Sequence, residues 1–144
     1  MKKIEEMIRI SIFEVFEKMF FIFLEPLDDE NNEYDMEAAI RFEGAANGNV
    51  SIFLSTGVAE TMVQNMLSLQ EHEITTQSME DCSKEAVNMI CGNFLGKLNS
   101  KKVFHLSTPI FRKQPRDIEL GKNACRMDFD SDAGRVGMMA TLSD

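Results

Sequence analysis

Two stretches of helical periodicity, over residues 4–24 and about 80–100, are each followed by short strand-like runs, and this repetition constrains the fold more than any other feature. In the first stretch Ile8, Ile12, Phe16, Met19 and Phe23 recur at steps of three and four. Pro26 and the acidic run LDDENNE (27–33) predict a loop after it. EAAIRFEG (37–44) and NVSIFLST (49–56) flank Ala45-Ala46-Asn47-Gly48, and Asn-Gly between β-rich runs predicts a hairpin turn. A shorter helix over 57–69, marked by Val58, Met62, Met66 and Leu69, leads through the polar segment 70–78 to the second long helix. Residues 103–113 (VFHLSTPIFRK) read as a strand in which Pro109 fits only an edge or a bulge. KNACRMDF (122–129) and RVGMMATL (135–142) then form a second hairpin around Asp130–Gly134.

The two hairpins share a local pattern. Gly48 with Val50, Ile52 and Leu54 parallels Gly134 with Val136, Met138 and Ala140. The expected fold is therefore α+β, with duplicated α-β-β-β units forming an antiparallel sheet on which two long helices and a shorter helix are packed. At 144 residues the chain reads as one domain over 1–144, because two separate halves would each have a marginal core.

Composition narrows the function classes. A net charge of -9 opposes binding to nucleic acid or to an anionic membrane. Glu5, Glu6, Arg9, Glu14 and Glu17 interrupt any leader-like apolar segment, and the longest apolar run, Met19 to Leu24, is far short of the ~20 residues of a spanning helix. A cytoplasmic location is expected. Cys82, Cys91 and Cys125 are odd in number and lack C-x-x-C spacing, which fits buried thiols in a reducing compartment. His72 and His105 sit in unrelated segments, so no metal site is expected. No Ser/His/Asp, P-loop or metal motif points to another enzyme class. Arg112, Lys113 and Arg116 form a basic cluster that reads either as solvated loop charge or as a docking aid for an acidic partner.

The second long helix carries the candidate site. With Glu85 at zero on a helical wheel, Val87, Ile90, Cys91, Phe94 and Leu98 fall between about 140° and 240°, a core-facing stripe. Asp81, Asn88, Gly92, Gly96 and Asn99 all fall within about 60° of Glu85, on the opposite face. Two glycines there each cost about 1 kcal/mol against alanine, which predicts close approach by a neighbouring helix or a partner. On the first helix Glu14 also lies opposite the apolar stripe. Aligning SIFEVFEKMF (11–20) with CSKEAVNMIC (82–91) sets Glu14 on Glu85 and Glu17 on Asn88.

The segment DCSKEAVNMICGNFLGKLNS (81–100), with its acid, two residues, asparagine and then glycine, resembles the CheC/CheX/FliY family of response-regulator phosphatases. The duplicated helix-plus-hairpin order and the PIF segment after VFHLST support the resemblance, which covers most of the chain. CheC proteins tend to carry the Glu/Asn pair on both related helices and CheX proteins on one. With Glu17 in place of the first asparagine, this chain is closest to the CheX branch.

The resemblance implies hydrolysis of the aspartyl phosphate of a CheY-like receiver domain in chemotaxis or related two-component signalling. Its catalytic residues would be Glu85 and Asn88. Such a phosphatase needs no cofactor of its own, since the receiver supplies Mg²⁺, the phosphoaspartate and a lysine. Asn88, able to donate and accept hydrogen bonds at once, would orient the attacking water. Glu85 would dock to the receiver's lysine. The family resemblance further implies a homodimer paired through a free sheet edge. The competing readings are a non-catalytic module that binds a receiver or a flagellar-switch protein, and a structural or ligand-sensing α+β domain in which the pair is incidental.

Overall fold

The first helical stretch forms α1 (Lys2–Phe20), which buries Ile8, Ser11, Ile12, Val15, Phe16 and Phe20. It ends before the apolar pattern does. Phe21 takes the left-handed conformation at φ 54°, and Asn65 Nδ2 donates to the Phe20 carbonyl at 2.6 Å, satisfying an orphan acceptor of the last turn. Phe23, which periodicity assigns to the core stripe, is consequently outside the helix and 66% exposed. The computed structural model describes residues 2–28, 33–117 and 123–143.

Glu25–Leu27, expected as loop, is a short strand, β1. The first hairpin is β2 (Met36–Gly44) and β3 (Asn47–Leu54). Its turn is Ala45-Ala46 and not Asn47-Gly48, which belong to β3. Gly44, at φ 148°, provides the reversal, and its N–H donates to Asn47 Oδ1 at 3.1 Å. Gly48 serves a different need, because a Cβ there would overlap the Thr141 carbonyl of the neighbouring strand.

The shorter helix, α2 (Thr56–Leu67), is capped from a distance: Asp35 Oδ2 accepts from the Thr56 N–H at 2.8 Å and from its hydroxyl at 3.0 Å. The second long helix, α3 (Thr76–Leu98), begins with a reciprocal Thr75/Ser78 cap. The predicted strand over 103–113 is two, β4 (Phe104–Leu106) and β5 (Ile110–Arg112), both paired with β2 and separated at Ser107–Pro109. Pro109 thus sits in a break at the sheet edge, since it has no N–H for the ladder. The last hairpin is β6 (Ala124–Asp130) and β7 (Val136–Ser143).

All seven strands of the described residues form one antiparallel sheet in the order β1-β6-β7-β3-β2-β4, with β5 also on β2. The order is the same from either edge: a short strand, then the outer and inner strands of a hairpin. Each short strand lies on the hairpin of the other half, so the two repeats are interlocked. The halves meet at β3 and β7, where Ile52 faces Met138. Turning the molecule about that pair exchanges the hairpins, and the registers carry Pro26 of β1 onto Pro109.

One sheet face carries the helices. Ala38, Ile40 and Phe42 of β2, Val50, Ile52 and Leu54 of β3, and Val136, Met138 and Ala140 of β7 share a core with all three helices. Phe42 and Phe94 meet edge-on at 6.1 Å and join the sheet to α3. Each such fully buried side chain contributes about 1.5–3 kcal/mol.

The three cysteines are buried, as expected, with Cys82 against Met66 of α2 and Cys91 in the core. Burial pushes the Cys91 thiol up to about 12. The native state therefore keeps a proton that the unfolded chain releases above its ordinary value of 9.0. That contribution is complete below pH 9 and is lost as pH rises towards 12, with a slope of up to about 1.4 kcal/mol per pH unit. Urea unfolding at pH 8 and at pH 10.5 should show Cys91→Ala with a shallower alkaline loss of stability than the parent.

Candidate functional site

The helical wheel holds in three dimensions. On α3, Ala86, Val87, Ile90, Cys91, Phe94 and Leu95 are buried, while Asp81, Glu85, Asn88, Gly92 and Gly96 are exposed. Glu85 and Asn88 lie one turn apart on this outward face and line a shallow depression of about 260 Å³ with Asp81, Lys84 and Pro109. Lys84 is tied to Glu80 at 3.2 Å, and Asp81 accepts from Gln77 at 2.9 Å. Glu85 and Asn88 have no hydrogen bond or ion pair with any described side chain, which leaves both free to engage a second molecule.

Pro109 is the unforeseen member of this group. Helical spacing had marked Asp81 as a neighbour of Glu85, but nothing in the sequence brings Pro109 to Asn88. The break between β4 and β5 does so, setting a rigid ring at the rim of the depression.

The glycines narrow the expectation of close approach by a neighbouring helix or a partner. A Cβ on Gly92 or Gly96 would meet nothing within 4 Å, so no neighbouring helix approaches them. They leave α3 bare beside Asn88 on a surface open to a partner. Gly92→Ala should therefore raise the stability of the isolated protein by about 1 kcal/mol, read from its urea midpoint. A destabilised variant would mean that the site is not open.

The site is an exposed helix face and not a cleft. Among the described residues nothing in it encloses a small molecule. No group of acidic, His or Cys side chains among the described residues is arranged to hold a metal.

A family model described as chemotaxis phosphatase CheX matches residues 36–130. The chain belongs to the CheX family. No curated protein sequence matches it. Among solved structures, chemotaxis protein CheX from Vibrio vulnificus superposes with a TM-score of 0.82 at 23% identity, covering 97% of this chain and 96% of that one. CheX from Desulfovibrio desulfuricans gives 0.81 at 22%, covering 98% and 99%. The CheX–CheY–BeF₃–Mg²⁺ complex from Borrelia burgdorferi gives 0.72 at 16%, covering 96% and 97%. These likenesses show a shared fold.

Within this CheX-family chain the two long helices are not equivalent. Ser11, Ile12, Val15, Phe16 and Phe20 of α1 correspond to Cys82, Ser83, Ala86, Val87 and Cys91 of α3, and all are buried. That correspondence places Glu14 on Glu85. Glu14, however, is engaged: Lys97 of α3 reaches it at 3.2 Å. Glu17, at the position matching Asn88, is an exposed acid. At these positions the face of α1 therefore presents an engaged carboxylate and an exposed one, and no amide.

The basic cluster has a role that neither sequence reading foresaw. Glu37 of β2 is fully buried, and Arg116 clasps it through Nη2 at 2.8 Å and Nε at 3.2 Å, with the Arg116 N–H donating at 3.0 Å. Arg112 adds a longer contact at 3.5 Å. Arg112 and Arg116 thus neutralise a buried carboxylate and pin the segment after β5 to the helix-free face. The hydrogen bond to Glu37 also raises the Arg116 guanidinium above its ordinary value. Lys113 remains exposed.

Proposed function

We propose that this protein is a phosphatase that hydrolyses the aspartyl phosphate of a CheY-like receiver domain in chemotaxis or related two-component signalling. The observation that carries the reading is the unpartnered Glu85/Asn88 pair beside a bare helix ridge, in a chain of the CheX family. A fold relative has been solved with CheY, BeF₃ and Mg²⁺, which supports the receiver as partner and the metal as the receiver's own.

An acyl phosphate is already activated, so its hydrolysis depends on positioning and charge stabilisation more than on a strong base. Asn88 enters beside the phosphoryl group and orients the water in line, its amide oxygen accepting a hydrogen bond from that water while its NH₂ donates elsewhere. A carboxylate at that position would repel the phosphoryl oxygens. Glu85 ion-pairs with the receiver's lysine and fixes the docking register. Pro109 limits the angle from which the receiver approaches.

The protein acts in the cytoplasm, where receiver domains reside. It pairs as a homodimer through the β4–β5 edge, along which Val103, Leu106 and Ile110 are exposed. The test is to phosphorylate stand-alone receiver domains with acetyl phosphate and Mg²⁺, add the protein, and follow phosphate release. Accelerated decay of at least one receiver is expected. Binding without acceleration would instead favour a non-catalytic module.

A further inference from the structure

The helix-free face of the sheet holds a cup of about 480 Å³, within the size range of small-molecule sites. Its floor is the cross-strand pair Ser51 and Met139, and its rim includes Arg41, Arg112 and Arg116. No lining residue among the described residues is acidic, in a chain whose net charge is -9. Glu37 beneath the rim offsets one of the three guanidinium charges. Arg41 has no carboxylate partner among the described residues, so its planar fork is free.

The internal symmetry shows what such a cup accepts. The rotation that exchanges β3 and β7 carries the floor pair Ser51–Met139 onto Gly137–Phe53. There the equivalent space is filled by the chain itself. The Tyr34 ring lies over Gly137, where a Cβ would come within 2.8 Å of it, and beside Phe53 at 6.0 Å. The Tyr34 hydroxyl donates to Asp128 at 2.5 Å. The same rotation places Arg41 on Asp130, so at this position the plugged half carries an acid where the open half carries a base, and Asp128 beside Tyr34 is paired with Arg126 at 3.1 Å. An aromatic ring with a hydroxyl donor suits the first, and an aromatic ring with an anionic acceptor suits the second.

We propose that the cup binds a small aromatic carboxylate, with its ring over Ser51 and Met139 and its carboxylate on Arg41. Thr108 and Thr141 offer hydroxyls at the wall, and Met139 presents a polarisable thioether to the ring. The cup lies on the sheet face away from α3, so its test is independent of the phosphatase reading.

The probes are benzoate and 4-hydroxyphenylacetate, with benzyl alcohol as neutral control and inorganic phosphate as a plain anion, titrated into ¹⁵N-labelled protein. Saturable shifts at Ser51 and Met139 are expected for the two carboxylates, with affinities in the millimolar range or tighter. Arg41→Gln should weaken binding about tenfold or more, since it removes a charge-assisted contact. Asn49→Phe, an exposed position at the mouth, should abolish binding, and Lys113→Gln should leave it unchanged. Equal binding of benzyl alcohol, equal binding of phosphate, or an unaffected Arg41→Gln variant would each overturn the proposal. So would the lack of any saturable shift up to about 20 mM, which would leave the cup to solvent or to the chain itself.

Discussion

Asn88→Ala is expected to slow receiver dephosphorylation by about 10²–10³-fold, the usual cost of deleting one preorganised hydrogen-bonding group at a transition state. Complex formation should change by no more than about tenfold, because a single neutral hydrogen bond contributes only 0.5–1.5 kcal/mol. Glu85→Ala should behave differently, weakening docking by roughly 10–150-fold through loss of a charge-assisted contact and lowering the rate with it. Asn88→Asp is expected to be at least as poor as the alanine variant, since it adds negative charge beside the phosphoryl oxygens. Glu14→Ala should leave turnover unchanged, because Glu14 is held by Lys97 and not presented to a partner. Phospho-receiver decay, followed with each variant at matched concentrations, separates these cases. A fully active Asn88→Ala protein would refute the mechanism.

The largest effect on stability is expected at Arg116. Its removal leaves the fully buried Glu37 carboxylate with only the longer Arg112 contact and a backbone N–H. Breaking a fully buried pair costs about 3–5 kcal/mol. The Arg116 side chain is 52% exposed, which discounts the cost to roughly 2–3 kcal/mol. Urea unfolding of Arg116→Ala should show a lower midpoint with an unchanged slope. Replacing Glu37 and Arg116 together by methionine should cost less than the sum of the single changes, since no unpaired charge is then buried. A loss below about 0.5 kcal/mol in Arg116→Ala would show that the clasp contributes little.

Periodicity carried much of this architecture into view, and its failures have identifiable causes. The core stripe of α3 and the exposure of Glu85 and Asn88 follow from 3.6-residue spacing alone. The turn of the first hairpin was misplaced because Asn-Gly is a strong local signal. At this turn Gly44 takes the positive φ and Asn47 bonds back to it, while Gly48 is needed for contact with β7. Phe23 lost its place in the stripe to a cap from Asn65, a residue of a different helix. Pro109 beside Asn88 and Arg116 on Glu37 are tertiary meetings, and no local pattern announces them. The exchange of short edge strands between the halves is likewise a matter of register, which sequence spacing does not encode.

The bare ridge of α3 has a thermodynamic consequence. Gly92 and Gly96 leave the outward face of that part of the helix without side-chain shielding, so the backbone there meets solvent directly. A receiver lying across the ridge would bind only the closed helix and would suppress its opening, so docking and local order become linked equilibria. Hydrogen exchange at residues 92–96 would then report occupancy of the site directly, with protection rising as the partner binds, even in an Asn88→Ala protein that no longer turns over.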